Sequence, residues 1–172
     1  MRKNILILGG SRFIGYFILC ELIKQNQNVT IYNRQSTIPP APFPKGVKFI
    51  KGNRNNPENL NYLFNQKYDV VIDISGFTPD HIKSVIGKYS AKIGHYIFIS
   101  TTGVYKVPPI NPIREGSPRN FLKNTYSGDK ALAENLLLTY QKELPIAIFR
   151  PQGIFGPYDP CLAGLIFYRI LN

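Results

Sequence analysis

Only two cysteines, Cys20 and Cys161, occur in the 172 residues. That is too few for the disulfide frameworks of small secreted domains, so the chain reads as cytoplasmic, from a reducing compartment. No continuous apolar run approaches the roughly 18–20 residues of a membrane-spanning helix. Arg2 and Lys3 precede an apolar run, but it stops at Gly9 after residues 5–8, too short for an export signal. Internal repeats and low-complexity tracts are missing, and no metal-ligand grouping is legible. Acids are scarce, 10 against 21 basic residues, which leaves a net charge of +11. The basic residues are dispersed, so the surface favours anions in general. Two readings follow, a phosphate-bearing small ligand or nucleic acid held in a salt-sensitive way.

What the sequence does contain is an alternation of apolar strand-length runs with helical stretches, the pattern of a parallel sheet covered by helices. Six strands are expected, over 4–8, 29–33, 47–51, 70–75, 96–100 and 146–150, nearly all Val, Ile, Leu or Phe as doubly covered strands require. Asn56-Pro57-Glu58 and Thr78-Pro79-Asp80 each supply a cap, a proline for the first turn and an acid near the positive end of the helix dipole. Helices over 59–66 and 81–89 follow from them. A longer helix is expected over 122–142, where good helix formers run through ALAENLLLTYQKEL. Proline-rich loops at 35–46 and 105–121 have the length of binding segments. The fold class is therefore α/β, a Rossmann-type doubly wound parallel sheet in three αβα layers, and the whole of 1–172 reads as one domain.

The first strand runs into GGSRFIG, residues 9–15. Gly9 and Gly15 bracket a strand-to-helix turn whose amides can face a pyrophosphate. Arg12 stands where better-known turns of this kind place a glycine. At the end of the second strand, where NAD-specific folds carry an acid for the adenosine ribose, the sequence has Asn33 and then Arg34. Arg34 with Arg12 can hold a 2′-phosphate by charge-assisted contacts, which favours NADP(H) over NAD(H). Ser100, Thr101 and Thr102 end the fifth strand at the carboxyl edge of the sheet, and Tyr126 and Lys130 lie four apart on one helix face. His81 and His95 read as solvated groups away from that edge, and Cys161 as a small buried hydrophobe.

In order along the chain, GGSRFIG, STTGVY, YSGDK and RPQGIFGP resemble the GxxGxxG, SSxxVY, YxxxK and RPxxIYGP motifs of the extended short-chain dehydrogenase/reductase superfamily, the NAD-dependent epimerases and dehydratases. The GGSRFIG turn is similar to the GG[ST]RF[IL]G branch, which includes plant chloroplast stem-loop RNA-binding proteins. The resemblance implies that Thr101 holds the reacting oxygen of the substrate, that Tyr126 is the acid/base, and that Lys130 binds the nicotinamide ribose and lowers the tyrosine pKa. For the cofactor it implies backbone contacts from Gly9, Ser11, Phe13, Ile14 and Gly15, an adenine contact from Asn53 with Arg54 beside it, a wall at Ser75-Gly76, and an approach of Pro151 and Ile154 to the nicotinamide. The implied activity is NAD(P)-dependent epimerase, dehydratase or reductase chemistry on a nucleotide sugar. The alternative is a cofactor-binding module without turnover, a redox sensor or RNA-binding protein.

Members of that superfamily carry a smaller substrate-binding domain after the nucleotide fold, and the resemblance implies that most of it is missing from these 172 residues. The segment 161–172, CLAGLIFYRILN, reads as an apolar helix. Three alternatives stand for it: the start of further chain, a helix that completes the sheet, or a homodimer contact.

Overall fold

The computed structural model describes residues 1–36, 41–108 and 111–159. The helix expected over 161–172 and Cys161 lie outside the described residues. Among the described residues, runs of branched and aromatic side chains form six strands, β1 (Asn4–Leu8), β2 (Asn28–Asn33), β3 (Lys48–Lys51), β4 (Val70–Asp73), β5 (Tyr96–Ile99) and β6 (Ile146–Phe149). All neighbouring pairs are parallel, and the order across the sheet is β3-β2-β1-β4-β5-β6. This is the doubly wound order, with the switch point between β1 and β4. Register follows the pleat: Leu6 lies opposite Thr30 on one side and Val71 on the other.

Side-chain alternation divides the core into two layers. On one face Leu6, Leu8 and Tyr32 pack against α2 (Pro57–Leu63), α3 (Pro79–Tyr89) and α4 (Tyr126–Thr139), through Leu60, Leu63, Ile82, Ile86, Ala133 and Leu137. On the other, Ile7, Val29 and Ile31 pack against Leu19 of α1 (Phe13–Lys24). Helices on both faces make the expected three layers. No helix among the described residues is long and apolar enough to cross a membrane.

Both proline-started helices begin two residues earlier than the expected stretches, because Asn56 Oδ1 accepts the Glu58 and Asn59 amides and Thr78 Oγ1 accepts the His81 amide. Two boundaries differ for other reasons. β4 stops at Asp73 rather than residue 75, since the Ile74 and Ser75 amides both turn onto the Leu8 carbonyl at 3.1 and 3.2 Å. The long helix starts at Tyr126 rather than residue 122. Asn124 takes a left-handed φ of 61°, and Thr125 Oγ1 donates to the Leu122 carbonyl while accepting the Gly128 amide. The chain before the helix is thereby folded back over its first turn, and a Cβ at Gly128 would stand 1.9 Å from the Leu122 oxygen.

Candidate functional site

The turn after β1 works through a different pair of glycines than the motif suggests. A Cβ on Gly15 would lie 2.3 Å from Gly10 Cα, so the first turn of α1 rests directly on the backbone of Gly10, whose φ is +83°. Gly10 was absent from the expected site, although it adjoins Gly9 in the quoted motif. Arg12 needs no glycine in its place: it is the N-cap of α1 with φ −139° and ψ 152°, ordinary extended backbone. The conformational strain sits one residue later, on Phe13, at φ 42°. Phe13 and Ile14 open the helix, where first-turn amides have no intrahelical acceptor.

A cavity of about 300 Å³ opens beside this turn at the carboxyl edge of β1, β2 and β4. Gly9, Ser11, Asn33, Arg34, Asn53, Arg54 and Ser75 line it. Arg12 does not: it is exposed at the helix cap, so the structure puts Arg34 alone of the two arginines in the wall. Asn33 ties the wall together, its amide reaching the Gly9 carbonyl at 3.4 Å and its Oδ1 accepting the Gln35 amide at 2.8 Å. Asn53 Oδ1 accepts the Asn55 amide at 3.0 Å.

Tyr32 and His81 also line the cavity, and the sequence reading missed both. His81 was expected to be solvated and remote from this edge. It belongs to the edge because α3 starts directly at the end of the β4 loop. The Tyr32 hydroxyl is buried and finds no hydrogen-bond partner among the described residues, and burial pushes its pKa up to about 12. A buried phenol without a partner beside a glycine cradle is the feature of a site shaped for a polar ligand. The volume and donor set fit the adenosine half of a dinucleotide.

Arg54 has a second task. Its guanidinium grips the fully buried Asp73 carboxylate, donates to Ser75 Oγ at 3.1 Å and to the His81 carbonyl at 2.8 Å. Tyr96 donates its hydroxyl to the same carboxylate at 2.5 Å. Burial alone would raise the Asp73 pKa, but the charge and hydrogen bonds of Arg54, with that of Tyr96, hold it below the usual carboxylate range. Gly76 is bare for the same network, since a Cβ there would meet Asp73 Oδ2 at 2.6 Å.

The Thr101, Tyr126 and Lys130 set lies at the ends of β5 and α4. Thr101 Oγ1 accepts the Gly103 amide at 3.1 Å, and the Thr102 amide donates to the Pro151 carbonyl at 3.1 Å, which brings the 151–154 segment alongside. Ile154 is partly exposed there. Tyr126 is 57% exposed, whereas Lys130 is 1% exposed and donates to the Ile99 carbonyl at 2.6 Å. The aromatic rings of Phe98 and Phe77 flank its ammonium at 4.5 and 5.0 Å. Burial, with Arg54, brings the Lys130 pKa down to about 8 against the opposing pull of Asp73 and Glu134. Partial burial of the phenol raises the Tyr126 pKa, while the Lys130 ammonium is directed elsewhere. The ammonium is engaged with Ile99 and shielded by Phe77, a ring from the segment that departs from the family's small residues.

One turn beyond Lys130, buried Glu134 accepts from Arg119 at 2.8 Å and from Arg150 at 2.8 and 3.0 Å. Arg150 opens the RPQGIFGP motif and also reaches Tyr105 Oη at 2.7 Å. The long β5–α4 connection, α4 and the end of β6 are thus locked around one carboxylate.

The sheet order, the glycine turn and the cavity at the switch point define a Rossmann-type nucleotide-binding protein. The chain belongs to the NAD dependent epimerase/dehydratase family, whose sequence model matches residues 5–172. It is 30% identical to the chloroplast stem-loop binding protein of 41 kDa b of Arabidopsis thaliana, over 92% of this chain and 44% of that protein. It is 28% identical to a dTDP-D-glucose 4,6-dehydratase of Dictyostelium discoideum, over 90% and 44%. The chain thus spans under half the length of these two relatives. Among solved structures, the Bordetella bronchiseptica enzyme WbmH in complex with NAD+ superposes with a TM-score of 0.81 at 22% identity, over 99% of this chain and 63% of that one.

Proposed function

We propose that the chain is the nucleotide-binding part of an NAD(P)-dependent epimerase, dehydratase or reductase that acts on a nucleotide sugar. The observation that carries the reading is the cavity of about 300 Å³ at the carboxyl edge of β1, β2 and β4, which fits the adenosine half of a dinucleotide, in a chain of this family. The cofactor, when bound, supplies hydride chemistry. The adenosine half would be held by Gly9, Asn33, Arg34, Asn53 and Ser75, with the pyrophosphate at the start of α1. Thr101 would orient the substrate oxygen and Tyr126 would exchange its proton. A raised tyrosine pKa suits the donor role, and Lys130 favours the phenolate once its ammonium faces the site. Arg34 in the cavity wall supports NADP(H) over NAD(H). The alternative of a redox sensor or RNA-binding module without turnover draws no support from family membership, and we do not adopt it.

Tyr126→Phe is the test, in the full-length protein with a nucleotide-sugar substrate. Turnover is expected to fall by at least 10²-fold, within the typical contribution of a general acid/base, while calorimetric NADP+ affinity stays within about twofold of wild type. Unchanged turnover would remove Tyr126 from the chemistry.

A further inference from the structure

The start of α3 carries a hydrogen-bond exchange that the proposed function leaves unused. Thr78 caps the helix, and its Oγ1 accepts the His81 amide at 3.3 Å. His81 answers from the third helical position: its Nδ1 accepts the Phe77 amide at 3.2 Å. This is a capping box displaced by one residue, with imidazole where glutamate or glutamine ordinarily stands. A carboxylate accepts at every pH near neutrality, but imidazole accepts only while neutral. Acceptance at Nδ1 puts the single proton on Nε2, and a second proton would set Nδ1–H against the Phe77 N–H, donor facing donor.

The amide held in this way belongs to the residue whose ring lies 5.0 Å from Lys130 Nζ and 5.8 Å from the Tyr126 ring. Phe77 is 42% exposed, so its ring has solvent to move into, and it contacts the His81 ring itself edge-on at 6.4 Å. We propose that His81 is a positioning residue for the Tyr126–Lys130 pair: the neutral imidazole latches Phe77 so that its ring covers the Lys130 ammonium, and a proton on His81 opens the latch.

The groups around the imidazole set where this happens. Burial of the ring disfavours the imidazolium most, and Arg54 from the β3–α2 loop and Lys130 from α4 add to that. Asp73 at the end of β4 and Asp80 on α3 oppose them. The positive end of the α3 dipole works in the same direction as the two cations. The result lies below the ordinary histidine value, so the latch is closed at neutral pH and opens in mild acid. That Lys130 serves a cofactor rests on the function proposed above, whereas the latch itself does not.

The sequence has two histidines and no tryptophan, which gives two clean readouts. Phe77→Trp places a single indole over Lys130. Its emission, followed from mildly alkaline to mildly acidic solution, is expected to shift with one midpoint below the ordinary histidine range. In Phe77→Trp with His81→Gln, an amide accepts the same N–H without titrating, and the profile is expected to be flat. A midpoint that survives His81→Gln, or a flat profile with His81 present, overturns the latch. In the unmodified protein, imidazole nitrogen shifts at neutral pH are expected to show the Nε2–H tautomer for His81, identified by the signals lost in His81→Gln; an Nδ1–H tautomer overturns it equally. Calorimetry with NADP+ separates the two readings. His81→Gln is expected to abolish a change in affinity across the midpoint, and failure of the wild type to bind NADP+ at any pH defeats the cofactor reading while the emission profile still decides the latch.

Discussion

The Arg54 guanidinium closes on the Asp73 carboxylate through two parallel hydrogen bonds, 2.9 Å from Nη1 to Oδ1 and 2.8 Å from Nη2 to Oδ2. Asp73 has no exposed surface. Removal of one partner strands the other charge in the interior. Asp73→Asn is therefore expected to cost about 3–5 kcal/mol in urea unfolding, and Arg54→Met with Asp73→Leu far less than the two single changes together. The pH dependence has a fixed sign. The folded carboxyl pKa is depressed, so its stabilisation is complete above the unfolded value and disappears as pH falls through the folded one.

Lys130 gives the opposite balance. Its folded pKa of about 8 lies below the ordinary 10.5, so between these values the unfolded chain binds more protons and stability rises with pH. Below about 8 the cost of burying the ammonium is complete. Lys130→Met is expected to raise stability at neutral pH by up to about 3 kcal/mol, with the gain over wild type shrinking in alkaline thermal melts. The same variant is expected to lose turnover in the full-length protein.

Gly15→Ala adds one methyl group, 2.3 Å from Gly10 Cα. Neither side can yield, because both are backbone. We expect a loss of about 1–3 kcal/mol in denaturant unfolding and a fall of at least tenfold in NADP+ affinity by calorimetry.

Arg12 and Arg34 are expected to separate. Arg34 lines the cavity and Arg12 does not. Arg34→Ala should weaken NADP+ binding by about 1.5–3 kcal/mol, the range for a charge-assisted contact, with little effect on NAD+. Arg12→Ala should leave the ratio of the two affinities within twofold.

The strands were legible because each is a short apolar run between turn residues, and β1 falls on the expected residues without adjustment. The helix starts at Asn56 and Thr78 were legible for a similar reason, since cap, proline and acid are adjacent in sequence. Contacts between distant residues were not. Nothing local to Asp73 announces that Arg54 will reach it across 19 positions. His81 looked like a solvated residue near a helix start, and only the meeting of the β4 loop with the β1 and β2 ends makes it part of a cavity. The expected pairing of Lys130 with Tyr126 followed their i, i+4 spacing, which fixes a common helix face but not which neighbour the ammonium meets. Phe77, in a segment that departs from the family pattern, supplied the signal that this neighbour differs.

Among the described residues, the two outer strands of the sheet differ in chemistry. β3 carries Lys48 and Lys51 at its ends, cations that repel a second copy brought alongside. β6 reads Ile-Ala-Ile-Phe without a charge, and Phe149 is 56% exposed. At low ionic strength the net charge of +11 holds molecules apart and hides this difference. In concentrated, salted solution a charge introduced on β6 is therefore expected to reduce self-association more than the same charge placed on β3.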